Sequence, residues 1–264
     1  MNMKIGCIGT GAMGGAIMRA VCKKYDVSQI KVTDKNTEMG KAFAAETGAT
    51  FVENNTDILD CDYIFLAVKP QFLSDVFAEI AGKISNSSVV ISMAAGVKLE
   101  KLENWAPKAR FVRMMPNVCA QIGQAMTAIT YKENIKAEEA ATVKEILSSA
   151  GKVEQVPEKL MDCVTAVSGS GPAFVFMFIE ALADAAVRCG MPRAQAYTYA
   201  AQTVYGSAGM VLESGKHPAV LKDMVCSPAG TTIEGVAALE KNNFRNAVIE
   251  AVTAACEKST ALGK

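Results

Sequence analysis

The stretch from Met3 to Asp34 constrains this chain more than any other. An apolar run, Ile5-Gly6-Cys7-Ile8, leads into Gly9-Thr10-Gly11-Ala12-Met13-Gly14, which has the spacing G-x-G-x-x-G. Ala16, Ile17, Ala20 and Val21 then recur at helical spacing, and a second strand, Ile30 to Thr33, ends at Asp34. Strand, glycine turn, helix and strand within about thirty residues make the βαβ unit of a dinucleotide fold. Gly9 permits the tight turn, Gly11 lets backbone approach a pyrophosphate, and Gly14 lets helix and strand pack closely. The helix N-terminus offers free N–H groups and a partial positive charge to the phosphates. Asp34 stands where a carboxylate bonds a ribose 2′-hydroxyl, which tilts the expectation slightly toward NADH over NADPH. Lys35 and Asn36 follow directly and offer the alternative of holding a 2′-phosphate. Glycines also mark ordinary turns; it is the four parts together that favour a cofactor.

Downstream, Thr37 to Thr47 reads as a helix stopped by Gly48, and Thr50 to Val52 as a short strand. Tyr63 to Val68 and Ser88 to Ser92 are continuous apolar runs, as expected for strands buried on both faces. A helix from Gln71 to Ile84 lies between them, with Phe72, Val76, Phe77 and Ile80 on its apolar face. Arg110 to Met114, Ala125 to Tyr131 and Val153 to Val156 read as further strands, with a helix from Ala137 to Ala150. Alternating strands and helices specify an α/β domain with a mostly parallel, doubly wound sheet. Ligands of such sheets sit beyond the carboxyl ends of the strands. That rule gathers the glycine loop, Asp34, Ala67 to Pro70, Ala94-Ala95 and Pro116-Asn117 on one edge. For Lys69, a solvated strand end is the default and a catalytic lysine the alternative.

Near Leu160 the pattern changes and β-runs all but vanish, giving a boundary between residues 1–159 and an all-helical domain, 160–264. Ser168-Gly169-Ser170-Gly171-Pro172 precedes a long apolar helix, Ala173 to Cys189, with Pro172 in its first turn and Ser170 or Gly171 as cap. Further helices run from Arg193 to Leu212 and from Leu239 to Leu262, the latter interrupted near Asn242-Asn243. Phe174, Phe176, Met177, Phe178, Ile179 and Leu182 cover nearly every face of the first helix. A helix apolar all round is buried all round. In a domain of about a hundred residues that burial calls for cover from a partner chain, or a central place in a monomeric bundle.

Lys plus Arg and Asp plus Glu balance at 27 each among 264 residues. That balance argues against broad nucleic-acid or anionic-membrane binding. Glu180 and Asp184 interrupt the most apolar stretch, so no membrane span is expected, and the N-terminus lacks a signal-peptide pattern. Eight scattered cysteines form no C-x-x-C. They read as reduced core thiols of a cytoplasmic protein without a metal site.

The other informative stretch is Pro218 to Leu239. Ser227-Pro228-Ala229-Gly230 is a turn, and Thr231 and Thr232 open a helix whose apolar face is Ile233, Val236 and Leu239. Its first N–H groups have no intrahelical acceptor and can receive a carboxylate. Simple capping by Ser227, Thr231 or Thr232 is the plain alternative.

This run resembles the signature of pyrroline-5-carboxylate reductases, with Ser227, Gly230, Thr232 and Gly235 in register. Ile8 to Gly14, Phe65 to Pro70 and Ser168 to Ala173 agree with the same family. The resemblance implies a Rossmann domain followed by a helical domain that intertwines with a second subunit. It implies NAD(P)H-dependent reduction of L-1-pyrroline-5-carboxylate to L-proline, the last step of proline biosynthesis. It places Ile8, Gly9, Thr10, Gly11, Ala12, Met13 and Gly14 on the cofactor pyrophosphate and Asn54 by the adenosine ribose. Ala67, Val68, Lys69 and Pro70 fall on the nicotinamide side with Met93, Ala94 and Ala95. Substrate falls to Ser227, Gly230, Thr231 and Thr232, with Glu158 on the substrate side and Thr232 as the catalytic contact. Homodimers are implied, some assembling into decamers, with the helical domain of one subunit against the cofactor of the other.

Cyclic-imine reduction needs a hydride at carbon and a proton at nitrogen, and a pre-protonated imine leaves the protein mainly the task of positioning. That suits a chain with one histidine, His217, which reads as a loop residue, and no Tyr-x-x-x-Lys pair. A β-hydroxyacid dehydrogenase would want a lysine on the long helix, and Ala173 to Ala186 has none. A non-catalytic dinucleotide sensor would need no Thr232 loop.

Overall fold

The computed structural model describes residues 3–263. Eight strands form one sheet: β1 (Ile5–Ile8), β2 (Ile30–Thr33), β3 (Thr50–Phe51), β4 (Tyr63–Leu66), β5 (Val89–Ser92), β6 (Arg110–Met115), β7 (Ala125–Tyr131) and β8 (Gly151–Gln155). Their spatial order is β3-β2-β1-β4-β5-β6-β7-β8, so the order reverses between β1 and β4. Every pairing is parallel except β6 with β7. The connection from Met115 to Ala125 is too short for a crossover, which leaves only the antiparallel return.

Helices α1 (Ala12–Lys24), α2 (Thr37–Thr47), α3 (Leu73–Ile80), α4 (Leu99–Trp105) and α5 (Ala137–Leu147) cover the sheet. One apolar layer joins α1, α2 and α5 to the sheet through Ile17, Val21, Phe43, Val143 and Ile146. The other lies under α3 and α4, where Phe77 stacks on Trp105 at 5.3 Å and meets Phe111 edge-on at 6.0 Å. Strands β1, β4 and β5 are buried at every residue, which is why they read as unbroken apolar runs.

Several expected edges shift by one to three residues, β8 for instance running Gly151–Gln155 rather than Val153 to Val156, and two of the shifts bear on the cleft. Strand β4 ends at Leu66, freeing Ala67 and Val68 to turn out of the sheet. The helix expected over Gln71 to Ile84 is shorter, because Pro70–Phe72 forms a separate 3-10 turn first.

By contacts the chain divides into two compact units, residues up to Ser170 together with those from Ala255 on, and Gly171–Ala254. The composition change at Leu160 marks where strands stop; the second contact unit begins eleven residues later, at Gly171. In the first unit a 3-10 turn, Glu158–Leu160, runs into α6 (Met161–Val164) and a π-helical turn, Thr165–Ser170. In the same unit Ser259 Oγ donates to Asp162 Oδ1 at 2.7 Å, tying down the chain's last helical turns.

The second unit holds α7 (Gly171–Arg188), α8 (Arg193–Ser214), α9 (Pro218–Val225), α10 (Thr231–Lys241) and the start of α11 (Phe244–Leu262). Helix α7 does not begin at a Ser170 or Gly171 cap. It continues from the π turn, so Glu158–Arg188 is one helical run of 31 residues. Pro172 can donate no N–H and crowds the preceding turn, and the wider π turn just before it absorbs that mismatch. By length and composition alone the run is apolar enough to cross a membrane, contrary to the expectation from Ala173 to Ala186 taken alone. Within the unit α7 packs on α8 around Ala183, Ala196 and Ala200. Phe176, Met177, Tyr205 and Leu212 remain at least 60% exposed in the single chain.

Candidate active site

A cleft of about 820 Å³ opens at the carboxyl edge of the sheet, at the reversal between β1 and β4. Register puts Ile8 opposite both Thr33 and Leu66, and Leu66 opposite Ser92, so the residues after these strands emerge together. Backbone bonds extend the alignment past the strand ends: Gly9 N–H to Thr33 O at 2.8 Å, and Ala67 N–H to Ile8 O at 2.8 Å. Ile8, Gly9, Gly11, Asp34, Lys35, Asn54, Ala67, Val68 and Lys69 all line the cleft. Thr10, Ala12, Met13 and Gly14 continue the loop into α1, while Pro70 and Met93, Ala94 and Ala95 follow β4 and β5 at the same edge. Lys69 is a solvated residue at a strand end, and its carbonyl accepts from Phe72 N–H at 2.9 Å.

The three loop glycines separate into distinct roles. Gly9 has φ +101°, a left-handed conformation costly for side-chain-bearing residues, and a Cβ there would lie 2.6 Å from Ala67 O. A Cβ on Gly14 would lie 2.3 Å from Gly9 O, so α1 can approach the strand only without one. A Cβ on Gly11 would meet nothing within 4 Å; it would project into space that the fold leaves open. Gly11 is also the N-cap of α1, and no side chain caps that helix. An open cradle, uncapped N–H groups and a helix dipole fit a dinucleotide pyrophosphate.

Asp34 is not idle at the lip of the cleft. Its Oδ2 accepts from Thr10 N–H at 2.6 Å and from Thr10 Oγ1 at 2.9 Å, and its Oδ1 accepts from Asn36 N–H at 2.9 Å. Beneath it the Cys7 thiol is pushed well above its ordinary range, first by burial and then by the Asp34 charge. Lys35 rests with Nζ 5.9 Å from the centre of the Phe72 ring. Phe72, expected on the buried face of a helix, is instead 46% exposed and lines the cleft. Its position just after Lys69-Pro70 at a strand end was the available signal.

Asn54 lines the same cleft and is held by Asp57, whose Oδ2 accepts from both its backbone N–H and its side-chain amide. Glu158 stands elsewhere in the first unit. Its Oε1 accepts from Leu99 N–H at the start of α4 at 2.8 Å and from the buried Arg113 at 3.2 Å. Those bonds give Glu158 the job of fastening α4 and β6 to the chain leaving the sheet.

In the second unit Ser227, Gly230, Thr231 and Thr232 come together at the N-terminus of α10. Gly230 is the N-cap, with no side-chain bond to the helix. A Cβ on Gly230 would lie 2.3 Å from Ser227 Oγ, and Gly230 N–H donates to Ser227 O at 3.1 Å. Ala229 holds the turn in a left-handed conformation, φ 55°, unusual for a residue with a Cβ. Thr232 is half-buried and Thr231 exposed. The expected alternative, capping by a hydroxyl, is not realised from the cap position. His217 is itself a cap: its Nδ1 accepts from Ala219 N–H at 3.2 Å at the start of α9. All eight cysteines are free thiols.

Comparison with known proteins agrees with both halves of this arrangement. Residues 158–262 match the family model for pyrroline-5-carboxylate reductase dimerisation, and residues 4–96 match that for coenzyme F420-dependent NADP oxidoreductases. The pyrroline-5-carboxylate reductase of Escherichia coli is 46% identical over all of this chain and all of its own. That of Methanosarcina acetivorans is 46% identical over 100% of this chain and 99% of its own. The crystal structure of Plasmodium falciparum pyrroline carboxylate reductase with NADP bound superposes with a TM-score of 0.90 at 33% identity, covering 100% of this chain and 99% of its own.

Proposed function

The chain belongs to the pyrroline-5-carboxylate reductases, and from that premise we infer that it reduces L-1-pyrroline-5-carboxylate to L-proline with NADPH or NADH, the last step of proline biosynthesis. The observation that carries this reading is the pairing, in one chain, of an open glycine cradle after β1 with an uncapped α10 N-terminus after Gly230.

When bound, the dinucleotide supplies the hydride. The loop from Ile8 to Gly14 cradles its pyrophosphate against the free N–H groups at the start of α1, Asp34 and Asn54 face its adenosine side, and Ala67 to Pro70 with Met93 to Ala95 flank the nicotinamide. Residues 1–159 serve as the cofactor domain and 160–264 as the substrate and dimerisation domain. The N–H groups of Thr231 and Thr232 bind the substrate carboxylate, where the α10 dipole favours negative charge. Ser227 and Gly230 shape that turn, and Thr232 Oγ1 accepts a hydrogen bond from the protonated ring nitrogen. A substrate already protonated at nitrogen is electrophilic at carbon, so binding and orientation carry the work and no buried acid–base pair is required. Glu158 acts on the substrate side by fixing the chain at the start of the second domain.

The partner is a second copy of the chain. Each active site draws its cofactor domain from one subunit and its α10 loop from the other, in a homodimer able to build a decamer. A cytoplasmic location accords with eight free thiols and balanced charge. The test is spectrophotometric: purified protein should oxidise NADPH or NADH only when pyrroline-5-carboxylate is added, with proline as product. Folded protein that binds dinucleotide yet shows no imine-dependent oxidation would refute the reading.

A further inference from the structure

We propose that Thr10 is a positioning residue for cofactor choice, acting through Asp34 to make the site selective for a ribose 2′-hydroxyl. The proposal rests on the cofactor reading above and adds to it a residue whose side chain does not line the cleft. An ionised carboxylate offers about four acceptor positions. Three of those on Asp34 are filled from within the chain: two on Oδ2 by the Thr10 backbone N–H and hydroxyl, and one on Oδ1 by the Asn36 N–H. Thr10 is 4% exposed, so both of its donors are sheltered from competing water. The three bonds fix the plane of the carboxylate and leave one acceptor position, on Oδ1, in a residue that lines the cleft.

A 2′-hydroxyl has a proton to give that position. A 2′-phosphate brings acceptor oxygens and negative charge to a fixed anion, and gains nothing there. A carboxylate not held this way could swing aside for the phosphate, as surface acids do. The next residue, Lys35, has no carboxylate within salt-bridge distance among the described residues, and its ammonium rests over Phe72. The Thr10 hydroxyl thus converts an acid at a strand end into an oriented reader. The glycine-loop position between Gly9 and Gly11 carries selectivity as well as shape.

The experiment measures kcat/KM for NADH and for NADPH, with pyrroline-5-carboxylate saturating, and takes their ratio. Thr10→Val removes the hydroxyl while keeping volume and backbone N–H; the NADH-to-NADPH ratio should fall by about tenfold, the lower end of the scale of one hydrogen bond to a charged group. Thr10→Ser keeps the hydroxyl and should restore the ratio. Asp34→Asn should lower the ratio at least as far, and adding Thr10→Val to it should lower it no further. A merely structural role for Thr10 would change both cofactors by one factor; that outcome, or no change at all, overturns the proposal. If Asp34→Asn moves the ratio and Thr10→Val does not, the ribose reading stands and this inference falls. If Asp34→Asn leaves the ratio unmoved, the ribose reading itself falls and takes the inference with it. Should Thr10→Val not fold, Thr10→Ala carries the same test.

Discussion

At the scale of single residues, the three loop glycines look alike in sequence and differ in what they permit. Gly14 is a packing residue, because a Cβ there has Gly9 O at 2.3 Å and Ala67 Cβ at 2.5 Å in its way. Gly11 is a ligand-facing residue, with open space where its Cβ would go. Gly14→Ala should therefore cost about 1–3 kcal/mol of stability through overpacking, read as a lowered melting temperature. Gly11→Ala should melt as the wild type does and weaken dinucleotide binding by about tenfold, the loss of roughly one charge-assisted contact. Equal melting temperatures for the two variants would mean the roles are misassigned. These glycines and Asp34 were legible in the sequence because the motif's spacing reports backbone geometry. Phe72 and the Thr10–Asp34 bond were not, since side-chain direction at a strand end depends on where β4 stops, and it stops at Leu66.

Among elements, the parallel strands were legible because burial on both faces leaves unbroken apolar runs at β1, β4 and β5. Helix α4, seven residues long with Lys98 and Glu100 at its start, carries too short a pattern to announce itself. What fixes the neighbouring elements is polar. Arg110 of β6 donates to both Glu139 oxygens on α5, at 2.7 and 2.6 Å, and to Ser87 O before β5 at 2.7 Å. Burial alone would raise the Glu139 carboxyl, but the Arg110 bond, the Lys136 N–H and the Arg110 charge outweigh it and hold it below the usual range. A carboxyl depressed on folding stabilises the protein above its unfolded pKa, roughly 4.3, and that contribution is lost as pH falls through the folded value. Glu139→Gln should thus lower the melting temperature by a few degrees at neutral pH, with the wild-type and variant curves converging in acid. A difference that persists undiminished below the folded value would show that packing, not charge, is what the pair supplies. The π turn at Thr165–Ser170 was invisible for a related reason: Pro172 looks like a helix start, and only the wider turn before it lets the helix run through.

For the whole molecule, the apolar surface of the helical unit is the dominant fact. Phe176, Met177, Tyr205, Leu212, Met224 and Ile249 are each at least 60% exposed in one chain. An exposure on that scale marks an interface, and the family match over residues 158–262 names it as a dimerisation region. Sedimentation should find no monomer at micromolar concentration; an active monomer there would contradict an obligate dimer. The proposal that sites are shared between subunits predicts more. Mixing and reassembling Gly11→Val, which blocks the cofactor cradle, with Thr232→Ala should restore about a quarter of wild-type activity, since half the dimers are mixed and each has one intact site of two. No restoration would mean that each site is built within one chain. The helical domain was legible as helices and as a sticky surface, while its assembly was not, because an apolar face does not specify what covers it.

The most direct test of the account is Thr232→Ala, read by both kinetics and melting. Thr232 sits in the first turn of α10, behind Gly230, with no side-chain cap at the helix start. A hydrogen bond to a charged ring nitrogen contributes about 1.5–3 kcal/mol. Its loss should lower kcat/KM for pyrroline-5-carboxylate by about ten- to a hundredfold. Dinucleotide affinity and melting temperature should hold. Normal turnover with a lowered melting temperature would contradict the account and reduce Thr232 to a helix cap.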